Sequence, residues 1–329
     1  MGHAHFDALP EDSREAAQTA LRRVLGAVPI DAVAPLAGGF TTAAVFRIEA
    51  GERRYVLRVE GRPSPLRNPH QYQSMRIASE ADIAPRLYYA DEDSRVAVID
   101  FIETQPLASF AGGPYARAQA LGALRRRLDA TPVFPYFVDY PAIVARLWAH
   151  VCRTGLFADG VLDPVNERLA EIRAAYVWDR AHSVSCHNDP VPANILYDGK
   201  RLWLIDWESA YRNDPLVDVA IMSDHFARTD ELQATLLQAW LGRAPDAAFL
   251  ARLKHVAALT RLYYAGVFLS ASALVPRAAP DTSLAAPTMP ALEQAVAAGR
   301  LKSGTRAHNH VVGKMFIASF LTGRPTPRF

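Results

Sequence analysis

Hydrophobic and polar positions follow two different periods along the chain, and the change of period divides it in two. In residues 55–60 apolar side chains alternate with more polar ones, which is the period of a half-buried strand. The surrounding pattern predicts the order helix, hairpin, helix, hairpin. The predicted helices are 13–25 and 71–81, and the predicted strands are 43–49, 55–60, 86–90 and 95–102. We therefore predict a small α+β domain with an antiparallel sheet over residues 1–102.

After residue 102 the apolar positions recur every three to four residues, which is the period of amphipathic helices. The clearest case begins at Asp163, where Pro164 occupies the first turn and apolar residues follow along one face. The predicted helices are 116–130, 141–153, 163–178, 230–242, 247–272 and 290–298, and the tail is expected to pack as a further helix. Residues 103–329 thus predict a larger, mainly helical domain.

A short polar stretch interrupts this helical half. Apolar runs at 195–197 and 201–205 flank Asp198-Gly199-Lys200, which is a strong hairpin signal. Closing the hairpin returns Asp206 to the end at which Asn194 lies, with an expected offset of about three strand residues, or about 10 Å. Singly, such Asx residues are commonly turn or helix caps. As a set, Asp189 to accept a hydroxyl proton and Asn194 with Asp206 to hold Mg²⁺ form the layout of phosphoryl transfer.

The stretch from His187 to Asp218 resembles the catalytic region of the choline/ethanolamine kinase and aminoglycoside phosphotransferase superfamily. The likeness extends over roughly residues 33–270. It implies an α+β, bilobal protein kinase-like fold, with ATP and Mg²⁺ as cofactors. It also implies that Asp189 is the catalytic base, that His187 supports its loop, and that Asn194 and Asp206 bind the metal. Protein kinases carry Gly at the position of Glu208. The sequence Asp206-Trp207-Glu208 instead matches the Asp-Trp-Glu or Asp-Phe-Glu pattern that is typical of the choline kinase branch.

The same resemblance assigns a nucleotide site to the first domain. Its phosphate loop consists of Gly38, Gly39, Phe40, Thr41 and Thr42. Paired glycines alone usually mark only a turn, but backbone N–H groups in such a loop can donate to phosphates. The backbone at Asp100 and Ile102 would pair with adenine.

Arg58 takes the place of the Lys that kinases present to the phosphates, since no Lys precedes Lys200 in the chain. A guanidinium can make two parallel bonds to phosphate oxygens, so the electrostatic role survives. The helical Glu that should orient this cation falls on Gln71, which cannot form an ion pair. Either Gln71 serves, or Glu80 or Glu60 replaces it.

The acceptor site is expected directly after the metal Asp. Carboxylates and aromatic rings suit a cationic acceptor such as a quaternary ammonium. The candidates are Trp207, Glu208, Tyr211 and Asp214. We therefore expect a kinase of a small hydroxylated, cationic metabolite. The alternatives are an aminoglycoside, thiamine or sugar phosphotransferase, and a nucleotide-binding pseudokinase, which Gln71 makes worth considering.

Composition narrows the class of protein. Half of the 329 residues are hydrophobic and the formal net charge is +2, which gives no argument for nucleic acid or an anionic membrane as partner. Cys152 and Cys186 are too few for a disulfide framework. The N-terminal residues carry no signal-peptide pattern, and no apolar run approaches the roughly 20 residues of a membrane span. We expect a cytoplasmic monomer or homodimer without membrane insertion.

Overall fold

The alternating segment near residue 55 forms the middle strand of an antiparallel sheet in the computed structural model. The structure describes residues 6, 9, 11–36, 43–61, 68–176, 178–274 and 279–325, so the predicted phosphate loop at 38–42 lies outside the described residues. The strands are β1 (Ala32–Pro35), β2 (Ala44–Ala50), β3 (Arg53–Val59), β4 (Leu87–Asp91) and β5 (Val96–Asp100), in the order β1-β2-β3-β5-β4. The predicted strands are confirmed, and β1, with only four residues and a Pro, was not foreseen.

The sheet packs its inward face against α1 (Glu11–Leu25). Leu57 lies opposite Phe46 on one side and Val98 on the other, and all three side chains are buried. Ala17, Ala20 and Leu21 face this layer from α1. Period-two burial in β3 therefore fixes which face of the strand carries Arg58, because side chains two residues apart share a face.

By its contacts the chain divides into two compact units. One comprises Met1–Phe137 and Ser185–Arg212, and the other comprises Val138–Val184 and Asn213–Phe329. Besides the sheet, the first unit contains α2 (Gln71–Glu80), α3 (Gly113–Asp129), β7 (Ile195–Tyr197) and β8 (Leu202–Leu204). The short strands β6 (Val184–Cys186) and β9 (Tyr211–Asn213) pair with each other. The predicted division of the chain into two domains at residues 102 and 103 stays a prediction.

The second unit is helical. Its helices are α4 (Tyr140–Arg153), α5 (Asp163–Ala175), α6 (Leu216–Phe226), α7 (Asp230–Leu241), α8 (Ala247–Ser272), α9 (Met289–Ala297) and α10 (Arg306–Thr322). Two glycines allow close packing of neighbouring helices. Gly266 of α8 faces Leu147 of α4, where a Cβ would lie 2.7 Å from the Leu147 side chain. Gly313 of α10 faces Leu269 of α8, where a Cβ would lie 2.6 Å from the Leu269 side chain. The helical tail is confirmed by α10. Within the described ranges, none of the helices has the length and apolarity needed to span a membrane.

Candidate active site

The hairpin formed by β7 and β8 brings Asn194 and Asp206 to the same end. Ile195 pairs with Leu204, and the N–H of Ile205 donates to the carbonyl of Asn194 at 3.0 Å. Asp206 therefore lies one residue beyond the position opposite Asn194, and the expected offset of three residues was wrong. The reason is the tight turn, in which the Asp198 carboxylate accepts from the N–H groups of Lys200 and Arg201.

Asp189 and Asn194 are in direct contact. The Asn194 side-chain nitrogen donates to the Asp189 carboxylate and to the Asp189 carbonyl, at 3.0 Å each. A short 3-10 turn at Pro192–Asn194 sets this geometry, and the N–H of Val191 also donates to the Asp189 carbonyl. Because the amide nitrogen is committed to Asp189, the amide oxygen is the atom that Asn194 can offer to a cation.

His187 joins this loop to Ile205, which lies between β8 and Asp206. Its Nε2 lies 2.8 Å from the carbonyl of Ile205, so this nitrogen is the donor, and its ring packs on Trp207 with a centroid separation of 4.7 Å. The side chain is fully buried. These contacts fit the predicted supporting role.

Asp206 has a left-handed backbone, with φ 64° and ψ 70°. A non-glycine residue in this region costs of order 1–3 kcal/mol, and such residues cluster at functional sites. The neighbouring Asn188 is also left-handed, and its side-chain nitrogen donates to the carbonyls of Ser209 and Tyr211. The segment after Asp206 is thereby tied to the loop before Asp189.

Arg58 lies at the centre of a cluster of carboxylates. Its Nη1 is 2.8 Å from Asp206, its Nη2 donates to Glu208 at 3.1 Å, and its Nε is 3.3 Å from Glu60. The Arg58 side chain is only 13% exposed. One guanidinium thus lies within ion-pair distance of three carboxylates in a partly buried place. Carboxylates in such a place need cations nearby, and a bound metal ion can contribute to that compensation.

The residues present fit Mg²⁺. Mg²⁺ is usually held by one or two protein carboxylates together with waters and substrate phosphates, and the amide oxygen of Asn194 with the carboxylate of Asp206 supplies such a set. In the described part of the chain, no group of three or more His, Cys, Asp or Glu side chains is arranged to hold a metal by itself. The assignment of Asn194 and Asp206 as ligands stays a prediction.

The structure places Glu60, not Gln71, beside Arg58. Gln71 is buried at the start of α2, and its side-chain nitrogen donates to the second oxygen of Glu60 at 2.6 Å. Glu80 is exposed at the last residue of α2. Of the three residues that the sequence left open, Glu60 therefore supplies the carboxylate and Gln71 contacts that carboxylate.

The segment predicted to meet adenine continues from β5. The N–H of Asp100 donates to the carbonyl of Arg86 at 2.8 Å, so this group is already used within the sheet. The N–H of Ile102 has no backbone partner within the residues that the structure describes. Pairing of this segment with a nucleotide remains a prediction, and Ile102 is the better placed of the two residues.

Both predicted acceptor aromatics are core residues. Trp207 is 2% exposed and packs edge-on against Phe134, and Tyr211 packs edge-on against Phe137. Rings enclosed in this way offer little surface to an acceptor, which disfavours that role. Glu208 differs, because 45% of its side chain is exposed.

Asp214 belongs to the second unit, where its charge is already matched. Its carboxylate accepts from the Tyr176 hydroxyl, from Arg252 at 3.0 Å and from the N–H of Leu216. Burial raises the pKa of the Tyr176 phenol far above its usual value, and the Asp214 charge raises it further. A cationic acceptor would have to displace Arg252, so this packing disfavours Asp214 as an acceptor residue.

The candidate site thus combines Asn194 and Asp206 at one end of a hairpin, Asp189 bonded to Asn194, and Arg58 among carboxylates. The sequence pattern of the phosphotransferase enzyme family (APH) matches residues 32–253, which is more than half of the chain. The chain belongs to this family, and the resemblance found in the sequence is confirmed.

Known proteins of two kinds are similar to this chain. The choline/ethanolamine kinase family protein from Mesorhizobium loti has a TM-score of 0.64 at 21% identity, over 95% of this chain and 98% of that one. Spectinomycin phosphotransferase APH(9)-Ia, solved with ADP and spectinomycin, has a TM-score of 0.53 at 12% identity, over 78% and 88%. At such identities the likeness shows the fold alone, and it confirms the predicted kinase-like α+β fold.

A closer sequence match covers a short segment. Protein LicA of Haemophilus influenzae is 42% identical over 55 residues, which is 17% of this chain and 21% of LicA. The match thus spans about a fifth of the curated relative's length. It supports the family and leaves the acceptor to be inferred.

Proposed function

We propose that this phosphotransferase uses ATP and Mg²⁺ to phosphorylate a hydroxyl group of a small, cationic metabolite, in the manner of a choline or ethanolamine kinase. The observation that carries the proposal is the pairing of two features in one unit. Asp189 is held by Asn194 at 3.0 Å, and Arg58 lies 2.8 Å from Asp206 within a cluster of carboxylates. A nucleotide-binding module has no need of the first feature.

The residues divide the transfer step among them. The acceptor oxygen forms a bond to the γ-phosphorus, the bond from that phosphorus to the β,γ-bridging oxygen breaks, and the acceptor proton passes to the Asp189 carboxylate. Phosphoryl transfer depends mainly on positioning and charge neutralisation, so an ordinary carboxylate suffices as base. Arg58 would bind phosphate oxygens, and the oxygens of Asn194 and Asp206 would hold Mg²⁺, which neutralises charge on the phosphates when bound.

Glu208 supports a cationic acceptor. It is the most exposed carboxylate of the Arg58 cluster, and it lies two residues after the proposed metal ligand Asp206. A carboxylate near a quaternary or primary ammonium stabilises it by charge attraction. Trp207 and Tyr211 are enclosed, so these two rings cannot form an aromatic cage for the acceptor. This segment would therefore recognise a cationic acceptor through the charge of Glu208.

An ATP-consumption screen over choline, ethanolamine, thiamine, aminoglycosides and sugars tests the proposal, with Asp189→Asn as the control for background hydrolysis. We expect Mg²⁺-dependent turnover with choline or ethanolamine that the control lacks. Turnover with an aminoglycoside or a sugar alone would refute the proposed acceptor while leaving the kinase activity in place. Tight ATP binding with no turnover on any acceptor would favour the pseudokinase.

A further inference from the structure

Glu60 is the most buried carboxylate around Arg58. Its side chain is 3% exposed, against 22% for Asp206 and 45% for Glu208. It directly follows β3 and lies two residues after Arg58, so both side chains share one face of the strand. Its backbone N–H donates to the carbonyl of Arg95 at 3.0 Å, which fixes the end of the strand.

Gln71 is the neutral partner of this carboxylate. Its side-chain nitrogen donates to one Glu60 oxygen at 2.6 Å, while the other oxygen lies 3.3 Å from Arg58 Nε. An amide can donate to a carboxylate, whereas a second carboxylate at position 71 would repel it. The carboxylate thus directly follows the strand and the neutral donor lies on the helix, whereas the sequence resemblance implies a carboxylate on the helix.

We propose that Glu60 is the positioning residue for Arg58, and that Gln71 orients Glu60. Asp206 and Glu208 have other proposed roles, as metal ligand and as acceptor carboxylate, and their attraction for Arg58 is divided with those roles. Glu60 is the least exposed of the three, and its two oxygens lie against Arg58 Nε and the Gln71 amide, so it holds the guanidinium in place for the phosphates. This inference rests on the proposed function, because it gives Arg58 a nucleotide to bind.

The test moves the carboxylate between strand and helix. Glu60→Gln, Gln71→Glu and the double variant are compared with wild type by calorimetric titration with ADP and by the KM and kcat for ATP. Glu49→Gln is the matched control, since Glu49 pairs with Arg47 at 3.0 Å on the exposed side of the same sheet. Thermal unfolding of each variant separates loss of fold from loss of binding.

We expect Glu60→Gln to weaken ADP binding and raise the KM for ATP by about tenfold or more, because a buried charge pair is lost. Returning the charge from the helix in the double variant should recover affinity to within about threefold of wild type. The control should change affinity by less than about twofold, as exposed pairs contribute little.

Three outcomes would overturn the inference. The first is a folded Glu60→Gln protein with unchanged ADP affinity, which would make Glu60 purely structural. The second is a folded double variant no better than Glu60→Gln. The third outcome applies if Glu60→Gln fails to fold and Glu60→Asp, which withdraws the charge by one methylene, is tested in its place. An ADP affinity of Glu60→Asp that is lower than wild type by about threefold or more supports the inference, and an unchanged ADP affinity overturns it.

Failure of the proposed function gives a different pattern. If wild type binds no nucleotide, or if Arg58→Ala binds ADP as well as wild type does, the nucleotide role of Arg58 is refuted. If Arg58→Ala loses ADP and folded Glu60→Gln does not, the inference about Glu60 fails alone.

Discussion

In the first unit one guanidinium faces three carboxylates. In the second unit Asp214, Asp224 and Asp281 each have a cation of their own. Arg58 contacts Glu60, Asp206 and Glu208, so its single charge is shared among them. Asp206 and Glu208 follow the hairpin of β7 and β8, and Asp206 has a left-handed backbone.

The second unit matches its charges. Asp224 receives two bonds from the buried Arg261, at 2.7 and 2.6 Å. Lys314 Nζ lies 2.8 Å from Asp281 Oδ2, and His310 Nε2 lies 2.9 Å from the same oxygen. These pairs tie α6 to α8 and the segment before α9 to α10, so their evident effect is on packing.

The difference teaches where to look for chemistry in this fold. A carboxylate with its own buried cation is satisfied within the fold, while carboxylates that share one guanidinium can also bind a cationic ligand. Clusters of ionisable groups mark candidate functional sites, although structural ion-pair networks form such clusters as well. The predictions below separate the two kinds of cluster, beginning with the largest expected effect.

Asp189→Asn should lower kcat by about 10²–10⁴-fold, because the amide cannot accept the acceptor proton. ATP affinity should stay within about threefold of wild type, since Asp189 is proposed to interact with the acceptor hydroxyl and not with the nucleotide. Steady-state kinetics together with calorimetric ATP titration check both halves. Unchanged turnover would remove Asp189 as the base.

Arg58→Ala should lower kcat/KM for ATP by about 100-fold, because a partly buried guanidinium that binds phosphate is lost. Arg54→Ala is the matched control, from the same strand, where an exposed pair with Glu103 is broken. That control should change kcat/KM by less than about threefold. Equal effects of the two substitutions would contradict the phosphate role.

Asp281→Asn should destabilise the protein by about 3 kcal/mol while leaving ATP affinity unchanged, because it leaves Lys314 buried without its carboxylate. Urea unfolding at pH 7 and ATP titration under native conditions measure the two effects. A loss of ATP affinity without loss of stability would contradict the division into structural and chemical clusters.

The same pair gives a pH dependence. Burial acts to raise the pKa of Asp281, but hydrogen bonds from Lys314, His310 and the N–H of Ser283 lower it below the usual range. A carboxylate with a depressed folded-state pKa contributes stability above its unfolded pKa of about 4, and that stability is lost as the pH falls through the folded pKa. The difference in unfolding free energy between wild type and Asp281→Asn should therefore narrow below about pH 4. A difference that is constant with pH would contradict this.

Arg180→Ala should have the smallest effect, with a loss of at most about 1 kcal/mol of stability. Arg180 binds Asp139 at 3.0 Å, but its side chain is largely exposed, so solvent screens the pair. Thermal or urea unfolding is sufficient to measure the change. A cost near that of Asp281→Asn would show that matching of charge, and not burial, sets the scale.

Much of the fold could be predicted because periodicity and turn chemistry are local. The hairpin around Gly199 and the helix beginning at Asp163 follow directly from residue spacing. The helix α6 was missed because ten of its eleven residues are buried, so the segment has no polar face to give a helical period. A helix enclosed on all sides lacks the stripe on which such prediction depends.

The sequence named some residues of the candidate site correctly and was ambiguous or misleading for others. Arg58, Asp189, Asn194 and Asp206 were all named from the sequence, and the structure joins Asn194 to Asp189 and Arg58 to Asp206. Glu60 remained one of three options, although its spacing of two from Arg58 on a strand was a usable signal. Trp207 was misleading, because a sequence cannot distinguish an aromatic residue that packs in a core from one that lines a binding site.

The most direct test of the central claim is calorimetric titration of ATP into the wild-type protein, once with Mg²⁺ and once with EDTA. If the cluster around Arg58 and Asp206 is a metal and nucleotide site, ATP should bind with Mg²⁺ and bind at least about tenfold more weakly without it. Equal affinity under both conditions, or no binding under either, would contradict the account.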